Sequence, residues 1–160
     1  MSSAKILTVG LLCVLVLVVQ GFAATEAGDM EVGGQISLTI PDEGDESLMA
    51  MGNVGLFLTD IWQLSSRVIF VKFGDNEYGY VLGGLDYYFP GDTEYLPYVG
   101  GGIGISIMQD ETDLGLDGHA GVKQFVLENV SVNYELSYTT RAEDIGAGDI
   151  VLSVGLSTYF

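Results

Sequence analysis

Residues 150–160 read as a strand with two chemically different faces. Ile150, Leu152, Val154, Leu156, Thr158 and Phe160 fall on one side, and Val151, Ser153, Gly155, Ser157 and Tyr159 on the other. Side chains along an extended chain alternate with period two, so one face is apolar and the other small or polar. The length falls within the roughly 9–11 residues that a tilted strand uses to cross a bilayer. A strand in lipid cannot leave its backbone groups unpaired, so a chain that crosses in this way must supply enough strands to close a barrel.

The same period runs through most of the chain. From Met30, Val32, Ile36, Leu38 and Ile40 alternate with Glu31, Gly33, Gln35, Ser37 and Thr39. In a second strand, Leu48, Ala50, Gly52, Val54, Leu56 and Leu58 lie opposite Met49, Met51, Asn53, Gly55 and Phe57. A third, Gln63 to Phe73, sets Leu64, Ser66, Val68 and Phe70 opposite Arg67. The fourth, Tyr78 to Phe89, and the fifth, Tyr95 to Met108, keep the alternation through paired and tripled glycines. The sixth, Leu114 to Phe125, opposes Leu116, Gly118, Ala120 and Val122 to Asp117, His119, Gly121 and Lys123. The seventh is the most regular: Val130, Val132, Tyr134, Leu136 and Tyr138 against Ser131, Asn133, Glu135, Ser137 and Thr139. Turn-forming stretches separate the strands at Pro41–Glu46, Thr59-Asp60, Gly74–Glu77, Pro90–Asp92, Gln109–Asp113, Leu127–Asn129 and Arg141–Asp149. The expected fold is all-β: an eight-stranded antiparallel up-and-down transmembrane β-barrel over residues 24–160, with both termini at one end.

The N-terminus has the layout of a secretory signal. Lys5 is followed by an apolar run from Ile6 to Val19, interrupted by Thr8 and Gly10, and Gly21-Phe22-Ala23 places small residues where a signal peptidase reads. The expected signal peptide is 1–23. Its apolar run is shorter than the roughly 20 residues of a spanning helix. Cys13 lies inside it behind Leu12, where a lipobox needs a small residue, so the chain beyond residue 23 has no cysteine. That excludes a disulfide framework and thiolate metal sites there. Beyond residue 23 the strong cations are Arg67, Lys72, Lys123 and Arg141, against 22 acidic residues. Such a balance excludes nucleic acid, whose phosphates need a positive footprint.

Which face looks inward decides the environment. A soluble lipocalin-like binding barrel keeps apolar residues inside, whereas a membrane barrel turns them toward lipid. The non-apolar face here carries glycines, small polar residues and charges, a poor soluble core. Aromatics also stand near strand ends, at Tyr87, Phe89, Tyr138 and Phe160, where amphipathic rings favour the headgroup level. On this reading Arg67, Asp86, Asp117, His119, Lys123 and Glu135 all point into the lumen, where opposite charges must pair or be hydrated. The network they form either plugs the barrel or lines a narrow path for water and small ions. His119 is the only histidine, too little for a metal site, and it lies on the inward register, away from the lipid-facing surface or rim where lipid-modifying barrels place such groups. No catalytic, cofactor-binding or metal residue is expected. The Gly83-Gly84 and Gly100–Gly102 clusters lack the helix and the Lys-Ser/Thr pair of a phosphate loop, and suit sharp curvature and close strand packing instead.

Gly55-Leu56-Phe57-Leu58-Thr59-Asp60 is similar to a turn found in small outer-membrane barrel proteins. Leu96-Pro97-Tyr98-Val99-Gly100-Gly101-Gly102 resembles one of their strands. The span Gly118 to Tyr138, with Gly121-Val122, the Glu128-Asn129 turn and Glu135, resembles their penultimate hairpin. The chain thus resembles the OmpA/OmpX-like β-barrel group over nearly all of its length after the leader. The resemblance implies an eight-stranded barrel in the outer membrane of a Gram-negative-type cell. It also implies lipid, lipopolysaccharide, periplasmic chaperones and the barrel-assembly machinery as partners, and a closing residue, Phe160, that serves as the assembly signal. It does not imply one activity, because the fold hosts several. The expected role is structural and envelope-stabilising, in a monomer without enzymatic activity and with at most narrow porin-like permeability. Alternatives are a binding or adhesion barrel acting through acidic outer loops near 41–46, 74–77, 109–113 and 141–149, and a soluble periplasmic lipocalin-like barrel.

Overall fold

The computed structural model describes residues 25–39, 47–73, 76–90, 94–108, 111–144 and 148–160. The expected leader and the turn residues 40–46, 74–75, 91–93, 109–110 and 145–147 lie outside the described residues. Eight strands follow one another: β1 (Met30–Thr39), β2 (Ser47–Thr59), β3 (Trp62–Phe73), β4 (Asn76–Tyr88), β5 (Tyr95–Met108), β6 (Glu111–Leu127), β7 (Val130–Arg141) and β8 (Asp149–Tyr159). Each pairs antiparallel with the next, and β8 returns to β1 from Glu31↔Tyr159 to Ile36↔Val154. The closed ring leaves no sheet edge, which is what β-structure in hydrocarbon requires.

Pairing carries the strands past the limits that residue types suggest. Asn76 and Glu77, expected in a turn, pair with Phe73 and Lys72, and Glu111 to Asp113, expected in a loop, pair with Met108 to Ser106. The ladder is made by backbone groups, so polar side chains at a strand end do not stop it. The last connection is shortened likewise, with Arg141 in β7, a 3-10 turn at Ala142–Asp144 and Asp149 already in β8.

The alternation decides the two faces. In β7, Leu136 is 51% exposed whereas its neighbour Glu135 is 0% exposed. Val54, Val68, Ile103, Leu152 and Leu156 likewise face outward on their strands. This outer band of aliphatic and aromatic side chains is what a hydrocarbon solvent accepts.

The interior is less uniformly small and polar than the alternation suggests. At the end away from the termini, Met49, Met51, Ile69, Val71, Tyr80 and Leu82 of β2–β4 form an apolar cluster that Tyr78 and Val151 pack against. At the terminal end, Phe57, Tyr88, Tyr98, Phe125 and Tyr159 form a second, aromatic one. Tyr88 and Tyr98 stack with centroids 5.5 Å apart, and Phe125 lies 5.3 Å from Tyr159. A bulge between Phe125 and Leu127 turns both Phe125 and Val126 inward, which strict alternation forbids. Before β1 the chain crosses beneath this cluster: Gly28 N donates to Phe57 O at 2.8 Å, and Thr25 Oγ1 donates to Asp60 O at 3.2 Å. Gly28 has φ of 102°, a left-handed turn that a residue with a Cβ adopts only with strain.

Candidate functional site

Between the two clusters lies a polar layer, and the six charged or titratable residues expected in the lumen are all buried there. Arg67 and Glu135 come from β3 and β7, which stand on opposite sides of an eight-stranded ring. The guanidinium nevertheless reaches across, with Nη1 to Glu135 Oε1 and Nη2 to Oε2 both at 2.9 Å. The two parallel bonds match the planar fork of arginine to the carboxylate. Tyr98 donates to the same carboxylate at 2.6 Å and Gln35 at 3.4 Å, and Ser153 donates to Gln35 at 2.6 Å.

His119 bridges two aspartates. Its Nδ1 lies 2.7 Å from Asp117 Oδ2 and its Nε2 lies 3.0 Å from Asp86 Oδ1. Ionised carboxylates only accept hydrogen bonds. Ser65 donates to Asp86 and Thr139 to Asp117, each at 3.3 Å, while Arg67 Nη1 stands 3.7 Å from Asp117. The pair sits over β5 where it has no side chain: a Cβ at Gly100 would overlap both Asp86 Oδ1 and His119 Nε2. Close approach of two side chains thus fixes this glycine, which the sequence assigns to sharp curvature and close strand packing.

Lys123 is held lower in the barrel. Its ammonium pairs with Glu31 and lies 5.1, 5.2 and 5.5 Å from the ring centroids of Tyr88, Tyr98 and Tyr159. Negative aromatic faces around a desolvated cation are attractive. Glu31 also accepts from Gln63 at 2.8 Å, Ser157 at 2.6 Å and Asn53 at 3.2 Å. The alternation placed Glu31, Gln35 and Asn53 on the inward face without marking them as partners. Their period-two register was the available signal.

The lumen is therefore braced across its width at three heights. Lys123–Glu31 spans β6 to β1 near the aromatic cluster, Arg67–Glu135 spans β3 to β7 at mid-height, and Tyr78 of β4 donates to Asp149 of β8 at 2.5 Å at the far mouth. Arg67, Glu135 and Glu31 each carry several hydrogen bonds, and Lys123 adds three ring contacts to its bond with Glu31, the condition under which such pairs tolerate desolvation. Among the described residues, the buried polar side-chain atoms without a hydrogen-bond partner are Asn53 Oδ1 and Arg67 Nε. No group of three or more His, Cys, Asp or Glu among the described residues is arranged to hold a metal ion. Both ring nitrogens of His119 are engaged by carboxylates, so neither faces a hydroxyl that it could activate, and Ser65 addresses Asp86 instead.

Comparison with known proteins adds the family. The profile described as "Outer membrane protein beta-barrel domain" matches residues 9–157. No curated protein is significantly similar in sequence. Among solved structures, the N-terminal β-barrel domain of Pseudomonas aeruginosa OprF superposes with a TM-score of 0.64 at 16% identity, over 84% of this chain and 98% of that one. Neisserial surface protein A gives 0.61 at 15% identity over 84% and 98%, and Pseudomonas aeruginosa OprG gives 0.60 at 14% identity over 86% and 98%. At such identities the likeness speaks for the fold, not for an activity.

Proposed function

The chain belongs to the outer membrane protein β-barrel family, and on that premise we propose that it is a structural, envelope-stabilising barrel with a closed lumen. One observation carries this reading. Along the lumen stand an aromatic cluster, two cross-lumen ion pairs with their hydrogen-bonded partners, and an apolar cluster at the far mouth. An eight-stranded barrel is just wide enough for side chains to fill, and here the side chains that fill it are tied to opposite walls. Any permeability is confined to water and the smallest ions. The role proposed is structural and not enzymatic, in keeping with a histidine whose two ring nitrogens are both held by carboxylates.

The test is deletion in the native host, followed by complementation. Loss of the protein should sensitise cells to detergents and large apolar antibiotics while leaving uptake of small polar solutes unchanged. Complementation should restore the barrier with wild type and equally with a variant whose outer loops are exchanged. A selective defect in small-solute uptake would point to a pore, and failure of the loop-exchanged variant would point to a surface-binding role.

A further inference from the structure

The two buried polar atoms that have no hydrogen-bond partner among the described residues, Arg67 Nε and Asn53 Oδ1, belong to neighbours. Asn53 of β2 and Arg67 of β3 stand opposite each other in the ladder. Directly opposed side chains of an antiparallel pair start about 4.5–5.5 Å apart at Cβ. One orphaned atom is a donor and the other an acceptor. Neither is free to turn elsewhere. Arg67 is 5% exposed, and its Nη1 and Nη2 are both fixed on Glu135, which sets the guanidinium plane and with it the direction of the Nε–H. Asn53 Nδ2 donates to Glu31 Oε1 at 3.2 Å. Exchanging the two ends of the amide would set oxygen against a carboxylate, so Oδ1 keeps its place.

The surroundings of this oxygen are small and polar. Gly33 of β1 is the other cross-strand neighbour of Asn53, and a Cβ there would stand 2.5 Å from Asn53 Oδ1 and 2.3 Å from Ser157 Oγ, so the two oxygens flank one glycine. Ser157 Oγ donates to Glu31 and accepts from Asn133, which leaves it one further acceptor site. The group thus offers one N–H and two oxygens. Such a set suits no ion: the guanidinium repels a cation, and the amide oxygen with the carboxylates of Glu31 and Glu135 repels an anion. It suits a small neutral molecule that both donates and accepts. Buried water does this, with about three hydrogen bonds per molecule.

We infer that Arg67 Nε, Asn53 Oδ1 and Ser157 Oγ form a binding site for a single water molecule inside the barrel. The water accepts from the Nε–H and donates to the two oxygens. Asn53 then joins the two lumen ion pairs, because its Nδ2 holds Glu31 of the Lys123–Glu31 pair and its Oδ1 reaches Arg67 of the Arg67–Glu135 pair through the water. The inference rests on the closed-lumen reading and adds to it that the two braces form one hydrogen-bonded network.

The experiment is NMR on isotope-labelled protein purified from its outer membrane and reconstituted in phospholipid nanodiscs, with water itself as the probe. Arg67 and Arg141 are the arginines of the sequence, so the Arg67 Nε–H is one of two such signals and is identified by its loss in Arg67→Lys. It should show a cross-peak to a water that tumbles with the protein. The ring protons of His119, which lies over Gly100 of β5, should show none. The Arg67 cross-peak should vanish in Asn53→Leu, which removes the acceptor, and in Gly33→Ala, whose methyl presses on Oδ1 from the β1 side. The wild-type signal decides the matter where a variant fails to fold. No water cross-peak at Arg67 in wild type, or one that survives in both variants, would overturn the site and leave the closed lumen standing. Water cross-peaks at Arg67 and His119 alike would overturn the closed lumen and the discrete site together.

Discussion

Arg67 donates to both oxygens of Glu135, and both residues are buried. Arg67→Met leaves the carboxylate buried without its counter-ion, so stability should fall by about 3–5 kcal/mol, read by reversible urea unfolding in vesicles. The double variant Arg67→Met/Glu135→Leu removes both charges and should recover most of that loss, because apolar side chains of similar volume can replace a buried pair. A double variant as unstable as the single one would show that shape, not charge, is what the site demands. Gly100→Ala drives a methyl into the Asp86–His119 contact. It should cost about 1–3 kcal/mol and shift the His119 ring resonances in an NMR spectrum, whereas substitution of the outward-facing Gly118, where a Cβ meets nothing, should not. Alternation sufficed to turn Arg67, Asp86, Asp117, His119, Lys123 and Glu135 toward the lumen. It could not pair them, because which residues meet across a barrel depends on strand tilt and side-chain reach. Lys123 and Glu31 are 92 positions apart, and no local pattern links them.

Strand phase is the property most open to reading along the sequence and the simplest to test. Leu136 and Glu135 are neighbours in β7 on opposite faces. Leu136→Arg should cost about 2–4 kcal/mol if the position lies near the bilayer midplane, measured by the same unfolding assay, and no loss would put that face in water. Element ends were harder to read. Residue chemistry marks Asn76-Glu77 and Glu111–Asp113 as turn-like, yet their backbones continue the ladder. The bulge that turns Phe125 and Val126 inward has no signature in the alternation either, since it is set by pairing with β7. These extensions matter at the far mouth, where β4 and β8 run long enough for Tyr78 to reach Asp149. Tyr78→Phe should lose about 1 kcal/mol and speed hydrogen exchange in β8 near Ile150 and Val151. Unchanged exchange would mean that this brace does not close the mouth.

For the molecule as a whole, the sequence conveys environment better than interior. The outward apolar band, the eight closing strands and the acidic balance are all legible from period and composition. The two apolar clusters that cap the polar layer are not, because Met49, Met51, Ile69 and Val71 occupy an inward face that the membrane argument leaves to polar residues. They bear directly on the proposed function, since a polar layer alone could be a water path, whereas one capped at both ends and braced across its width supports the reading of a plug. The most direct test of that claim is conductance of the purified protein in a planar lipid bilayer, with incorporation verified independently by a heat-modifiable band. The closed lumen predicts no steady open level in symmetrical salt, at neutral pH and at moderate voltage. A reproducible, long-lived ion current through wild-type protein would contradict it, and would make the lumen a pore, not a brace.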